Sequence, residues 1–225
     1  MKYTYFGHAC FLIEIAGKKL LFDPFITGNP LAQDVDITTI QADYIFVSHG
    51  HGDHVGDLMT LAQQTNAIVV SNAEITDWVA KQGYENVHPM NFGTKDFDFG
   101  RVHYVPAAHS SGLPDGSYGG NPGGFIIKTT EGNFYFAGDT SLTAEMTMIP
   151  YYGSLDVAIL PIGGNFTMDY NDAIIASDLI KCDKIIGIHY DTFGFIVIDK
   201  ATAQTAFTQK NKTLLLPNIN ETISL

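Results

Sequence analysis

Three histidines and an aspartate crowd into Ser48-His49-Gly50-His51-Gly52-Asp53-His54. Imidazole nitrogens and carboxylate oxygens are the usual ligands of zinc and similar borderline metals. Gly50 and Gly52 permit the backbone turns that let alternate side chains converge. One such cluster cannot complete a two-metal site, so further donors must come from elsewhere in the chain. His109, Asp139 and His189 qualify: like His49, each follows an apolar run directly or within two residues, and a small or polar residue comes next. Strand ends of packed sheets gather along one rim, where ligands far apart in sequence can meet. Donor geometry then suggests His49, His51 and His109 on one metal, Asp53, His54 and His189 on a second, and Asp139 bridging. A coordination position left open to water marks a catalytic rather than a structural site. A hydroxide shared by cations about 3.5–4 Å apart is a nucleophile available at neutral pH. Asp53 is then both ligand and proton carrier, a catalytic role.

These donors need strands to deliver them. Tyr44-Ile45-Phe46-Val47 is an apolar run that reads as a buried strand ending at the histidine cluster. Upstream, 2–6, 10–15 and 19–22 read as an antiparallel meander with a tight turn at Ala16-Gly17-Lys18. Downstream, 55–64 reads as a helix, 67–70 as a strand, and 73–82 as a helix stopped by Gly83. A hairpin over 97–107 leads to His109, and a second over 125–137 leads to Asp139. Strands at 156–160, 184–188 and 213–216 alternate with helices at 171–180 and 202–209. The longest unpatterned stretch, Ser110 to Gly124, reads as a functional loop. The two halves share an outline, a meander followed by strand–helix alternation, without a sequence repeat.

Composition narrows the function classes. The chain has 225 residues, fitting one domain over 1–225, and its hydrophobic content of 45% is that of a globular protein with a sizeable core. The net charge is −12, and Arg101 is the sole arginine, so the basic stripe that nucleic acid demands is missing. No apolar stretch is long enough to span a bilayer, and the first residues read as a strand rather than a signal peptide, so the expected location is cytoplasmic. Cys10 and Cys182 sit among apolar residues and read as buried free thiols. The expected partner is a small-molecule substrate; a homo-oligomer is compatible with the sequence.

The pattern His49-x-His51-x-Asp53-His54, with His109, Asp139 and His189 downstream, resembles the metallo-β-lactamase superfamily along essentially the whole chain. Gly7-His8-Ala9, Phe22-Asp23-Pro24-Phe25, Gly138-Asp139-Thr140, Pro161 to Met168 and Ile188-His189-Tyr190 resemble a branch of uncharacterised metal-dependent hydrolases related to the L-ascorbate-6-phosphate lactonases. That resemblance implies an α/β fold, a four-layer αβ/βα sandwich of two mixed β-sheets flanked by helices, with the site on one rim. All the metal ligands match. The branch usually has Gly at the position of Asp169 and an acidic pair where Asn171-Asp172 stands.

The resulting expectation is a binuclear hydrolase in which a metal-bridging hydroxide attacks a small ester, a lactone or a phosphorylated metabolite. The cofactor is two divalent ions, Zn2+ first, with Mn2+, Fe2+ or Ni2+ served by the same donors. Two divalent cations, offset by two carboxylates and a hydroxide, leave a centre of about +1, which suits an anionic substrate. Arginine forks for phosphate are absent. His8 reads either as a pocket-edge residue, a supporting hydrogen-bond donor or proton carrier near neutral pH, or as a partly buried histidine satisfying a backbone group; Asp23 reads either as the orienting partner of a ligand histidine or as a turn residue before Pro24. Gly164 and Asn165 are the expected substrate contacts. His88 and His103 lack motif context. Two rivals are a di-iron redox or dioxygenase centre in the same fold, against which stands His51 where redox members generally carry Glu, and a phosphodiesterase or nuclease-type hydrolase.

Overall fold

The computed structural model describes residues 1–225. Short turns between apolar runs dictate its first half. Strands β1 (Lys2–Gly7), β2 (Cys10–Ile15) and β3 (Lys18–Phe22) form the antiparallel meander. The β2–β3 turn has φ of 49° at Ala16 and 71° at Gly17, the pair of positive values that a two-residue type I′ hairpin requires. From β3 the sheet continues in parallel through β4 (Tyr44–Phe46), β5 (Ile68–Ser71) and β6 (Val87–Pro89). The crossovers carry α1 (Gly52–Val55), α2 (Leu58–Thr65) and α3 (Ala73–Lys81).

The second half repeats this plan. Antiparallel β7 (Thr94–Phe97), β8 (Gly100–Pro106), β9 (Gly123–Lys128) and β10 (Asn133–Phe136) are followed by β11 (Val157–Pro161), β12 (Lys184–Ile188) and β13 (Thr213–Leu215), parallel to β10. Helices α4 (Tyr170–Leu179) and α5 (Lys200–Gln209) make the crossovers. A last strand, β14 (Thr222–Ser224), returns to pair with β1. The result is two mixed seven-stranded sheets, β14-β1-β2-β3-β4-β5-β6 and β13-β12-β11-β10-β9-β8-β7.

The sheets face each other across an aromatic core. Phe11 stacks on Phe22 at 4.6 Å and Phe22 on Phe46 at 5.1 Å, while Phe125, Phe134 and Phe136 meet them edge-on from the other sheet. Leu58, Leu61, Ile75 and Val79 cover the outer face of the first sheet. Ala173, Ala176, Ala203 and Phe207 cover that of the second. This is the four-layer α/β sandwich with two mixed sheets. Cys10 and Cys182 are buried free thiols, one in each outer layer.

Four local expectations change. The helix expected over 55–64 breaks at Gly56-Asp57 into α1 and α2. Asp57 is drawn out of helical use: its carboxylate accepts from Ile26 N at 2.6 Å and Thr27 N at 2.9 Å, and its own N–H bonds Pro24 O at 2.9 Å. The first hairpin strand starts at Thr94, on a polar edge without apolar alternation. Gly123 and Gly124 belong to β9, not to the loop before it. The three-residue edge strands β6 and β14 and the 3-10 turns over Ala144–Tyr152 carry no period that sequence reading could detect.

Candidate metal centre

Five strand ends converge on one rim. β4 runs on through Val47-Ser48 to His49, and α1 then presents Asp53 and His54. β8 leads to His109, β10 to Asp139, β12 directly to His189, and β1 to His8. The chain must turn sharply at these points. His8, Asp23 and His189 take left-handed backbone conformations with φ of 54°, 40° and 57°. Such a conformation costs about 1–2 kcal/mol at a non-glycine residue, so the surroundings must enforce it. A direct bond between the sheets, His189 N to His8 O at 2.8 Å, contributes. Gly163 permits the approach: a Cβ there would lie 2.1 Å from the His189 carbonyl oxygen.

The donors fall into the expected groups, with one addition. Ligating atoms of His49, His51 and His109 lie within 4.8 Å of one another, and so do those of Asp53, His54, His189 and His8. Asp139 stands between the groups: its Oδ2 is 2.9 Å from His189 Nε2, 3.4 Å from His54 Nε2 and 3.6 Å from His109 Nε2. His49 Nε2 and His51 Nδ1 face each other at 2.9 Å. His54 Nε2, Asp139 Oδ1 and His189 Nδ1 are buried without a hydrogen-bond partner. Buried polar atoms are rarely left so, and facing lone pairs are what a bound cation satisfies. The donor set therefore fits a metal ion.

A further ring of contacts fixes the donors. Asp23, fully buried, accepts from Ser48 N at 2.7 Å and from Ser48 Oγ at 2.5 Å, and it lies 2.7 Å from His54 Nδ1. With Nδ1–H donated to Asp23, His54 turns its Nε2 lone pair toward the other donors. Ser48 Oγ also lies 3.0 Å from His49 Nδ1, so Asp23 holds one ligand directly and a second through a hydroxyl. His8 is buried beneath the site: Nε2 is 3.1 Å from Asp53 Oδ2 and Nδ1 is 3.0 Å from Thr192 Oγ1. It does not line the cavity over the donors, so the pocket-edge position expected for it gives way to one that supports Asp53 from within the protein.

Burial and charge pull in opposite directions here. Burial pushes His8 down to about 4 despite the Asp53 bond, so near neutral pH its Nε2–H donates to an ionised carboxylate. Burial likewise lowers His49, His51 and His109 and keeps them in the neutral, ligating form. His54 is the exception: burial opposes its charge, but Asp139 and Asp23 on either side raise it well above its ordinary value. Asp139 is held well below the usual carboxylate range, because His54 and His189 outweigh the burial that would raise it.

A cavity of about 770 Å³ opens over the donors. Its floor includes His51, Asp53, His109, Asp139 and His189; its wall is Phe166, Phe193 and Phe195 with Thr192. Neither Gly164 nor Asn165 lines it, although both were expected substrate contacts. Asn165, with φ of 58°, makes the turn that projects its neighbour Phe166 instead. Asp169 caps α4, accepting from Asn171 N at 2.7 Å and Asp172 N at 2.9 Å. His88 and His103 sit on β6 and β8, away from the donors. Sequence reading missed the roles of Ser48 and Thr192 and all three phenylalanines. The run Thr192-Phe193-Gly194-Phe195 directly after a ligand offered the one available signal.

Comparison with known proteins identifies the family and the fold. The profile of the beta-lactamase superfamily domain matches residues 2–189. A metal-dependent hydrolase of Flavobacterium johnsoniae is 58% identical over 226 residues, covering 100% of both chains. Another, from Methylacidiphilum infernorum, is 47% identical over 226 residues with 100% of both covered. A metallo hydrolase of the hyperthermophilic archaeon Ignicoccus hospitalis, of known structure, superposes with a TM-score of 0.88 at 31% identity, over 99% of this chain and 97% of that one.

Proposed function

The chain belongs to the beta-lactamase superfamily and is a metal-dependent hydrolase, and from that membership we propose that it hydrolyses a small carboxylic ester or lactone at a pair of divalent cations. The convergence of seven donor side chains, three with buried unpartnered atoms and five of them on the floor of one cavity, carries this reading. His49, His51 and His109 would hold one cation, Asp53, His54 and His189 the other, with Asp139 shared. The nitrogen and oxygen donors suit zinc, and also manganese, iron or nickel. Cations bound there supply Lewis acidity and lower the pKa of water.

The protein's own groups supply the rest. Water adds across the acyl–oxygen bond, giving a carboxylic acid and an alcohol. Asp53 reaches the cavity and is ionised, so its carboxylate is placed to take the proton from the attacking water and return it to the departing alkoxide. His8, donating Nε2–H to Asp53 Oδ2, fixes the carboxylate's orientation and favours its charged form. Asp23 and Ser48 hold His54 and His49 in the tautomers that aim their free nitrogens inward. No lysine or arginine lines the cavity, which favours an ester or lactone over a phosphorylated metabolite.

The test is a panel of esters, lactones and phosphodiesters, run on protein as purified, after chelation, and after restoring the metal found. Hydrolysis of an ester or lactone that disappears on chelation and returns with metal is expected. The Asp53→Ala/His54→Ala variant should lose nearly all of it while keeping its fold by circular dichroism. Hydrolysis at the parent rate by that variant would overturn the reading.

A further inference from the structure

The wall of the cavity is as distinctive as its floor. Phe195 is 77% exposed and Phe166 50% exposed, high values for large apolar side chains at a polar site. The two rings meet edge-on, with centroids 6.2 Å apart and an interplanar angle of 76°. Phe193, half-buried, stands edge-on to His8 at 5.4 Å and continues the same wall. Nothing in the fold needs these rings where they are, since their neighbours Ile196 and Met168 do the anchoring at 0% exposure.

The loops that carry the rings are built rather than slack. After β12, Asp191 N bonds Ile196 O at 2.8 Å, Ile196 N bonds Phe193 O at 3.0 Å, and Ile198 N donates to the Asp191 carboxylate at 3.1 Å. After β11, Met168 N bonds Thr140 O at 2.9 Å and Gly164 N bonds Met168 O at 2.9 Å, tying Phe166 to the loop that carries Asp139. The loops that carry the rings are thus held in place beside the metal donors. The lone arginine, Arg101, is committed to Asp96 through bonds of 2.6 and 2.8 Å. Another groove, of about 460 Å³, reaches His51 and His109 past Ser110, Tyr118 and Asn121, and it too has no lysine or arginine in its lining.

Resting on the reading of the site as an ester or lactone hydrolase, we infer that Phe166, Phe193 and Phe195 form an aryl-binding subsite, and that the substrate is an uncharged carbonyl compound bearing an aromatic group next to the scissile bond. Face and edge contacts of such a ring with three phenylalanines give selectivity that a sugar phosphate or a short aliphatic acyl group cannot obtain. No lysine or arginine lines the cavity, so beyond the metal centre itself no side chain rewards a negative charge on the substrate.

The experiment compares ethyl phenylacetate, ethyl acetate and monoethyl succinate on the metal-replete full chain, for the parent and a Phe166→Ala/Phe195→Ala variant. Ethyl phenylacetate should be preferred over ethyl acetate in kcat/KM by roughly 10-fold or more, and the variant should bring the ratio to within about 3-fold. Metal content and melting temperature should be those of the parent. Saturation-transfer NMR with phenylacetamide, an unreactive analogue, reads ring binding separately from turnover; its signal should be strong in the parent and lost in the variant. A preference for monoethyl succinate, or an aryl preference retained in the variant, would overturn the inference. If neither these esters nor any ester or lactone of the panel is hydrolysed, the hydrolytic reading fails and the NMR signal alone decides the subsite: loss in the variant supports it, and no difference overturns it.

Discussion

At the scale of the residue, much depends on groups that touch no substrate. Asp23 accepts three hydrogen bonds inside the protein and, through them, sets two ligand imidazoles. Replacing it with Asn keeps the shape but removes the charge that holds the His54 Nδ1 proton. Metal affinity in Asp23→Asn should fall about 10- to 100-fold, measured by competition with a chromophoric chelator. An unchanged affinity would mean that His54 is oriented by something else. The candidate donors that the fold brings together were legible in sequence, because histidine and aspartate at strand ends carry their chemistry in their identity. The depth of His8 was not: nothing local says that its ring lies under Asp53 with Thr192 on its other nitrogen. Phe193 and Phe195 were passed over for a related reason, since an aromatic in an unpatterned stretch reads equally well as core.

Elements bring these residues together, and close backbone approach limits how. Gly163, just past β11, lies so near the end of β12 that a methyl group would meet the His189 carbonyl oxygen at 2.1 Å. Backbone cannot yield as a side-chain end can. Gly163→Ala should cost about 1–3 kcal/mol and displace His189, giving a lower melting temperature together with loss of part of the bound metal. A parent-like melting temperature would contradict this packing. The loop after His109 is tied to the histidine cluster by Ser111, whose Oγ accepts from Gly50 N at 3.0 Å and donates to Gly119 O at 2.8 Å. Ser111→Ala strands the Gly50 N–H and should destabilise by about 1–3 kcal/mol in urea unfolding. No change would show that the loop is held by Asn72 alone, through its bonds to Gly119 O and Asn121 O. Strand positions were readable because buried strands are continuous apolar runs. The break between α1 and α2 was not, because it is caused by Asp57 bonding residues about thirty positions earlier.

At the scale of the whole molecule, two similar sheets meet so that one rim gathers His8, His49, His51 and His109, which burial pushes toward their uncharged forms. Without metal this has a thermodynamic signature. An unfolded histidine titrates near 6.5, whereas folded His8 is pushed down to about 4 and His49, His51 and His109 are also lowered by burial. Between those values the unfolded chain binds more protons, so stability falls as pH drops from about 6.5 toward 4. His54, raised by Asp139 and Asp23, acts in the opposite sense: its contribution is fully present below 6.5 and is lost as pH rises through its folded value. It offsets only part of the other four. The urea midpoint of chelator-treated protein should therefore be lower at pH 5 than at pH 7, and an equal or higher midpoint at pH 5 would show that the imidazoles are not held neutral. Asp23, Asp53 and Asp139 are only three of the 24 acidic residues behind the net charge of −12, so composition spoke about partners and said nothing of the cavity. The most direct measurement is elemental analysis of freshly purified protein beside a His51→Ala/His54→Ala variant. About two divalent ions per chain are expected in the parent, with a marked loss in the variant; a variant that keeps the parent's full metal content would contradict the centre described above.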